Sequence, residues 1–283
     1  GNQYVDDQNN IQDVVTSHLD ENGVTQIDGK GIFSTATVSS LIVEPNLVGI
    51  GNYAFAGTHI STVELSDSVV EIGNHAFSGC DSLSSFTIGA NALNVVIGDH
   101  AFYNCSGLTE FDACNAMKIG DSAFEACRNL AKVNLLRPGA VDGSGAGDGS
   151  GGEAEPTISG SLISMGYYAF AYCVALGELI FPNTYSESDI RVSTFEGCTS
   201  LKHIYATGET TRVNFVDNYK EDKYYSFKDF RQSVDSTFYF EGPKGSALEN
   251  TAITNYFVFK YSNEEIYEKK IPDETSTLSN DGF

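Results

Sequence analysis

Basic residues are scarce in this chain: Lys and Arg number 16 against 38 Asp and Glu, a formal net charge of -22 over 283 residues. A surface of that sign lacks the cations needed to displace counterions from a phosphate backbone, which argues against a nucleic-acid partner. No apolar run is long enough to cross a bilayer, so no transmembrane segment is read. Signatures of chemistry are missing as well. There is no GxSxG elbow, HExxH helix or GxxxxGK[ST] loop, and no CxxC pair offers a tight zinc chelate. The expectation is therefore a non-enzyme with no catalytic residue, no metal and no cofactor.

The few bases are also unevenly placed. Residues 1 to 200 hold 24 acids and 6 bases, a net of -18, whereas residues 201 to 283 hold 14 and 10, a net of -4. An electrostatic partner of the first part is expected to be basic or a cation. The alternative is that acidity only keeps a long open surface soluble.

What the chain has in quantity is repetition. A phrase recurs as IGNHAFSGCDSL from Ile72, IGDHAFYNCSGL from Ile97 and IGDSAFEACRNL from Ile119. Its phenylalanines Phe55, Phe77, Phe102, Phe124, Phe170 and Phe195 follow one another at 22, 25, 22, 46 and 25 residues. Periods of this size mark a solenoid, in which each unit buries its apolar face only against its neighbours. After each phrase comes a leucine followed by alternating apolar places, as in Leu83/Phe86/Ile88, Leu130/Val133/Leu135, Leu176/Leu179/Phe181 and Leu201/Ile204. That period of two predicts a short half-buried strand, and AFxxC predicts a turn or short helix that closes the coil.

The joined pattern, LxxhxhxxxxxxxIGxxAFxxC with h apolar, resembles the BspA-like leucine-rich repeats of bacterial surface proteins. The likeness covers residues 48 to 205 well and both flanks more loosely. It implies an α/β solenoid: a right-handed leucine-rich repeat superhelix with a parallel β-sheet on the concave face and short helical turns or 3-10 segments on the other side. An N-terminal helical cap and a C-terminal closing element complete it. Within one continuous domain, residues 1–47 are read as cap and irregular first repeat, 48–205 as repeats and 206–261 as a degenerate repeat and C-terminal cap. Residues 262–283 are read as a polar tail. Because proteins of this kind are exported, the likeness also implies an extracellular or cell-surface place. The start at Gly1 fits a leader that has been removed.

Particular residues sharpen these expectations. Ile11, Val14, Val15, His18 and Leu19 share one helical face behind Asn9 and Asn10, a capping helix for the first coil. Val38, Leu41 and Val43 before Pro45 read as a strand. Gly51, Gly73, Gly98, Gly120 and Gly166 mark a turn where a β-carbon would clash or φ is positive; the last unit departs, with Ile190, Arg191, Val192, Ser193, Thr194 and Phe195. Phe227 with Phe230, and Phe238 with Phe240, predict one more degenerate coil. Phe238 to Phe259 resembles the strand, turn, helix and strand that close arrays of this family. Between Leu136 and Ile163, residues 137–161 place eight glycines in 25 residues, a flexible excursion with no calcium-loop spacing that accounts for the 46-residue gap.

Five cysteines, Cys80, Cys105, Cys127, Cys173 and Cys198, share one repeat place, with Gly57 read there in the first unit. Parallel coils about 4.8 Å apart hold equivalent β-carbons beyond the roughly 3.8 Å of a disulfide, which predicts a ladder of buried free thiols. Cys114 stands outside it. Tyr53, His75, His100, Ser122, Tyr168 and Ser193 precede the alanines, so His75 and His100 become neighbours with Asp99 alongside. That trio is either a chance Zn²⁺ or Ni²⁺ site or a solvated edge.

The alternation of each strand sends a second set of side chains outward. These are Ser40, Ile42, Thr62, Glu64, Ser85, Thr87, Glu110, Asp112, Lys132, Asn134, Glu178, Ile180, His203 and Tyr205, a sheet face that is acidic at its centre. Such faces are what solenoids use to bind macromolecules. The resemblance implies an adhesin, with a protein or glycan on a host or neighbouring cell surface as partner, matrix proteins such as fibronectin and fibrinogen included. The competing expectation is a structural spacer or carrier with no ligand on the repeat face.

Overall fold

The computed structural model describes residues 3–5, 11–13, 39–43, 47–136, 162–182, 189–206, 214–216 and 226–261. The coils stack as a solenoid, and each repeat contributes short parallel strands to two stacks. In the first stack, Ser40–Ile42, Thr62–Glu64 and Ser85–Thr87 form one sheet and Glu110–Asp112 pairs with Lys132–Asn134. The same stack continues through Glu178–Phe181, His203–Ala206, Tyr239–Gly242 and Val258–Tyr261. The three sheets run on as one ladder. Strand 85–87 lies against 110–112 and strand 132–134 against 178–181, and the Gly177 N–H reaches the Ala131 carbonyl at 3.4 Å.

The second stack is a five-stranded parallel sheet of Gly49–Ile50, Glu71–Ile72, Val95–Ile97, Ala116–Ile119 and Ser164–Met165. Asp189–Arg191 pairs with Asn214–Val216 in the same parallel sense. The repeat pattern predicts one strand per coil and misses this second set, whose strands of two to four residues run into the Ile-Gly junction that the pattern marks only as a turn.

Phenylalanine fills the space between the stacks. Phe55, Phe77, Phe102, Phe124, Phe170 and Phe195 lie ring on ring, with successive centroids 5.2, 5.5, 5.1, 5.3 and 6.1 Å apart and planes within 7° of parallel. Phe86 and Phe111 meet this column edge-on, at 4.8 Å from Phe102 and 4.7 Å from Phe124, the favourable contact of a ring edge with a ring face. The column explains the sequence period: each coil adds one ring to it.

AFxxC forms tight turns held by bonds three residues back, such as Ala76 N–H to Gly73 O at 3.2 Å and Cys80 N–H to Phe77 O at 3.1 Å. A 3-10 helix forms only at Val192–Phe195 among the described residues, in the unit that lacks the Ile-Gly junction. That unit is packed as tightly as the others, with Val192, Ser193, Thr194 and Phe195 all buried. Each of the other turns has two left-handed residues, neither of them the junction glycine: the residue two places on, Tyr53, His75, His100, Ser122 and Tyr168 with φ of 53 to 57°, and the residue before the cysteine place, Gly57, Gly79, Asn104, Ala126 and Tyr172 with φ of 56 to 73°. The junction glycine is needed for approach. A β-carbon on Gly98 would sit 2.5 Å from the Asn74 side-chain oxygen and 2.7 Å from the Asn74 nitrogen.

That close approach builds a second ladder. The Asn52 side-chain oxygen accepts the Asn74 N–H at 2.7 Å, Asn74 accepts Asp99 N–H at 2.8 Å, Asp99 accepts Asp121 N–H at 2.9 Å, and Asp121 accepts Tyr167 N–H at 2.8 Å. Each rung satisfies a backbone donor that a sheet of such short strands leaves over. The cysteines form a third ladder. All six are free and buried, and the five in register donate to the phenylalanine carbonyl of the preceding coil at 3.0 to 3.1 Å. Burial pushes the Cys198 thiol up to about 12 and holds Cys105 and Cys173 well above the ordinary range, so these thiols act as packing groups. The first rung is Thr58, not Gly57: the place lies three residues past the phenylalanine, and the Thr58 hydroxyl donates to Phe55 O at 2.9 Å and lies 3.4 Å from Cys80 Sγ. Cys114 is buried, and its N–H donates to Asp112 Oδ1 at 3.1 Å.

The far end closes with aromatic packing. Helix α1, Phe227–Ser233, starts at Ser226 in a capping box with Asp229, and helix α2, Ala247–Thr254, starts at Ser246, whose hydroxyl accepts the Glu249 N–H. Phe230, Phe238, Phe240 and Phe257 pack edge to face at 4.8 to 5.7 Å. The strand, helix and strand expected between Phe238 and Phe259 are those at 239–242, 247–254 and 258–261.

The near end differs from expectation. Gln3–Val5 pairs antiparallel with Ile11–Asp13, Val5 opposite Ile11, so no helix begins at Ile11. A helix that short is marginal without tertiary support, and strand pairing competes with it. Val14, Val15, His18 and Leu19 lie outside the described residues, as do Val38, the insertion at 137–161 and the tail at 262–283.

Candidate functional site

Tyr53, His75 and His100 line up in the column of left-handed turn residues, where the sequence offers a metal alternative. His75 stacks on His100 at 4.6 Å and 12°, and Tyr53 covers the other face of His75 at 4.5 Å and 8°. Parallel imidazoles aim their in-plane lone pairs side by side rather than at one point. Asp99 is committed to the ladder through its acceptor oxygen. No three His, Cys, Asp or Glu among the described residues are placed to hold a metal ion.

The stack has a consequence for pH. Burial first, and the neighbouring His100 second, hold the His75 pKa below the ordinary value of 6.5, with Asp99 opposing. The unfolded chain therefore binds this proton more readily than the folded one. Stability is undiminished above about pH 6.5 and falls as pH drops through the lowered folded value. Thermal melting at about pH 7.5 and about pH 5.5 should show that loss, and His75→Tyr, which copies Tyr53 and Tyr168, should reduce it. An equal acid-induced loss in both proteins would refute the role of His75.

The outward residues of the first stack form the larger candidate site. They stand in two straight rows, because register is kept from strand to strand: Ser40, Thr62 and Ser85, then Glu110 and Lys132, then Glu178 and His203 make one row. Ile42, Glu64 and Thr87, then Asp112 and Asn134, then Ile180 and Tyr205 make the other. Ile42 is 58% exposed, and Glu64, Ser85, Thr87, Glu110, Asp112, Lys132 and Glu178 are exposed. Ser40, Thr62, Asn134, Ile180 and His203 are partly covered.

Tyr205 departs from expectation. It is only 7% exposed, stacked against His203 at 6.1 Å and set between Ile180 and Glu241, so it supports the face rather than lying on it.

Both rows run beyond the residues the repeat pattern singles out. Tyr239 and Val258 extend the first past His203, and Glu241 and Lys260 extend the second past Tyr205. The signal for them was present, since Phe238-Tyr-Phe-Glu and Phe257-Val-Phe-Lys continue the same alternation. At the centre of the face, Asp112 Oδ1 accepts the Asn134 side-chain N–H at 3.1 Å, beside a hollow of about 430 Å³ over Ser85, Thr87 and Glu110.

At the C-terminal end the face changes character. The His203 ring stacks on Tyr239 at 4.5 Å, and Lys260 Nζ sits 3.6 Å from the centre of the Tyr239 ring. His203 Nε2 is 3.1 Å from Glu241 Oε2, and Nδ1 is 3.9 Å from Glu178 Oε2. Burial, then the charges of Glu241 and Glu178, push the Tyr239 phenol up, so it stays a neutral donor.

A family model described as the BspA type leucine rich repeat region matches in six copies over residues 21–138 and 154–283. Among solved structures, the chain is similar to a leucine-rich repeat protein from Bacteroides ovatus, at 23% identity and a TM-score of 0.35, over 75% of this chain and 57% of that one. It is similar to the pneumococcal vaccine antigen PcpA at 16% identity and a TM-score of 0.40, over 82% of this chain and 42% of that one. A leucine rich cell surface protein from Faecalibacterium prausnitzii is 16% identical with a TM-score of 0.31, over 72% of this chain and 64% of that one. The chain thus spans less than two thirds of each of these three proteins. No curated protein matches it. No described helix is long and apolar enough to cross a membrane. With the repeat copies matched over most of its length, and the coil geometry that the copies specify, this chain belongs to the BspA type leucine-rich repeat family.

Proposed function

We propose that this protein is a non-catalytic surface or secreted binding protein that recognises a macromolecule through the outward face of its first strand stack. Its partner is a protein or glycan on a host or neighbouring cell, an adhesin's role. The observation that carries this reading is the pair of straight rows: side chains from successive coils stand in register along the length of the ladder, with the aliphatic Ile42 left 58% exposed among polar neighbours. A repeat surface of that kind presents many weak contacts at fixed spacing, which suits an extended partner.

Binding of the purified chain to an array of matrix proteins and glycans tests it. Glu110→Lys combined with Asp112→Lys, at the acidic centre, should cut binding of any captured partner at least about ten-fold, on the order of 1.4 kcal/mol. Unchanged binding in that variant would move the site off the ladder centre. No binding to any array member would favour a spacer that positions another domain.

A further inference from the structure

We infer that the groove at the C-terminal end of the ladder is a site for an acidic peptide segment of a partner protein, held by Lys132 and Lys202. This rests on the ladder face being the binding face, and adds the chemistry of what is bound and where. The groove encloses about 840 Å³. Ala131, Gly177 and Lys202 stand just before its strands, at the place that Ser61, Ser84 and Thr109 hold in earlier coils. A β-carbon on Gly177 would meet nothing within 4 Å.

Charge identifies the occupant. In a chain of net charge -22, half the lysines of the described residues, Lys132, Lys202 and Lys260, line this one groove. None of the three makes an ion pair among the described residues. Among the described residues Glu178 is the one carboxylate in the groove's lining, and it faces His203; Glu110 and Glu241 stand opposite Lys132 and Lys260 in the strand register and Asp235 feels the Lys202 charge, none at ion-pair distance. A cationic groove on an acidic body draws a carboxylate-bearing segment, which most of the remaining surface repels.

The aromatic ring separates peptide from polysaccharide. His203 and Lys260 come from the strands on either side of Tyr239 and cover its two faces, leaving no ring face for a pyranose to stack on. From the Lys132 strand to the Lys260 strand is four ladder steps, about 19 Å at ~4.8 Å each, which an extended segment of roughly six residues spans.

Fluorescence anisotropy with a fluorescein-labelled peptide of about eight residues alternating Glu and Gly tests this, beside its Gln counterpart and with polygalacturonate as competitor. The Glu peptide should bind at least about ten-fold more tightly than the Gln peptide and weaken as salt rises. Lys132→Glu with Lys202→Glu should abolish the difference, while Glu110→Lys with Asp112→Lys keeps it. Equal binding of the two peptides, insensitivity to the lysine reversal, or preferential binding of polygalacturonate would each overturn the inference. An array partner lost with Glu110→Lys and Asp112→Lys but indifferent to the lysine reversal would leave the ladder reading standing and remove this one. A peptide held by the lysines, with no array partner sensitive to the ladder centre, would do the reverse.

Discussion

Phe102→Ala is expected to cost about 3–5 kcal/mol, the range for deleting a buried aromatic ring that its surroundings cannot refill. Phe102 is fully buried. It touches Phe77 at 5.5 Å and Phe124 at 5.1 Å along the column, and Phe86 at 4.8 Å and Phe111 at 5.0 Å from the side. Collapse is blocked because the ring above and the ring below are each pinned by their own coils. A solenoid's stability is a sum over neighbouring interfaces, so a void at the centre weakens two of them at once. Urea denaturation would measure the loss, with Leu93→Ala, at a side chain 55% exposed, expected to change stability by no more than about 0.5 kcal/mol. A Phe102→Ala loss below about 1 kcal/mol would mean that the column is not the core.

Glycine substitutions should divide by place rather than by residue type. Gly98→Ala puts a β-carbon 2.5 Å from the Asn74 side-chain oxygen and 2.8 Å from the Gly73 carbonyl carbon. The side-chain oxygen cannot swing away without breaking the 2.8 Å bond it accepts from the Asp99 N–H. The expected cost is about 1–3 kcal/mol or more, as for overpacking of a well-filled interior. Gly177→Ala meets nothing within 4 Å and should be neutral, or stabilising by up to about 1 kcal/mol through the unfolded chain. Denaturant midpoints of the two variants decide it. Similar losses at both would show that coil spacing at the Ile-Gly junction is looser than these distances require.

The repeat, the strand alternation and the shared place of the cysteines were legible because each is a periodic feature, and periodicity survives in a one-dimensional record. The outward rows followed from the same alternation, and the structure sets them in register. Less could be read where one residue type serves two purposes. Glycine after isoleucine fits either a left-handed turn or a close approach, and only the stacked coils show that approach is the need. Asp99 and His75 look like metal ligands as letters, yet in space one carries a backbone N–H and the other lies flat between two rings. Tyr205 obeys the alternation and is still covered, because its ring lies against His203 between the side chains of two neighbouring strands.

Sequence alone determined that the chain coils, with what period, which residues face in, and that little of it is basic. Each of these is set by local spacing and by composition. Tertiary structure decided how the coils are tied, through the Asn/Asp, cysteine and phenylalanine ladders, because such rungs join residues 22 to 49 positions apart whose pairing no local pattern encodes. It also decided where the scarce lysines gather. Lys132, Lys202 and Lys260 are far apart in the chain and share one groove only because parallel coils bring successive strands side by side.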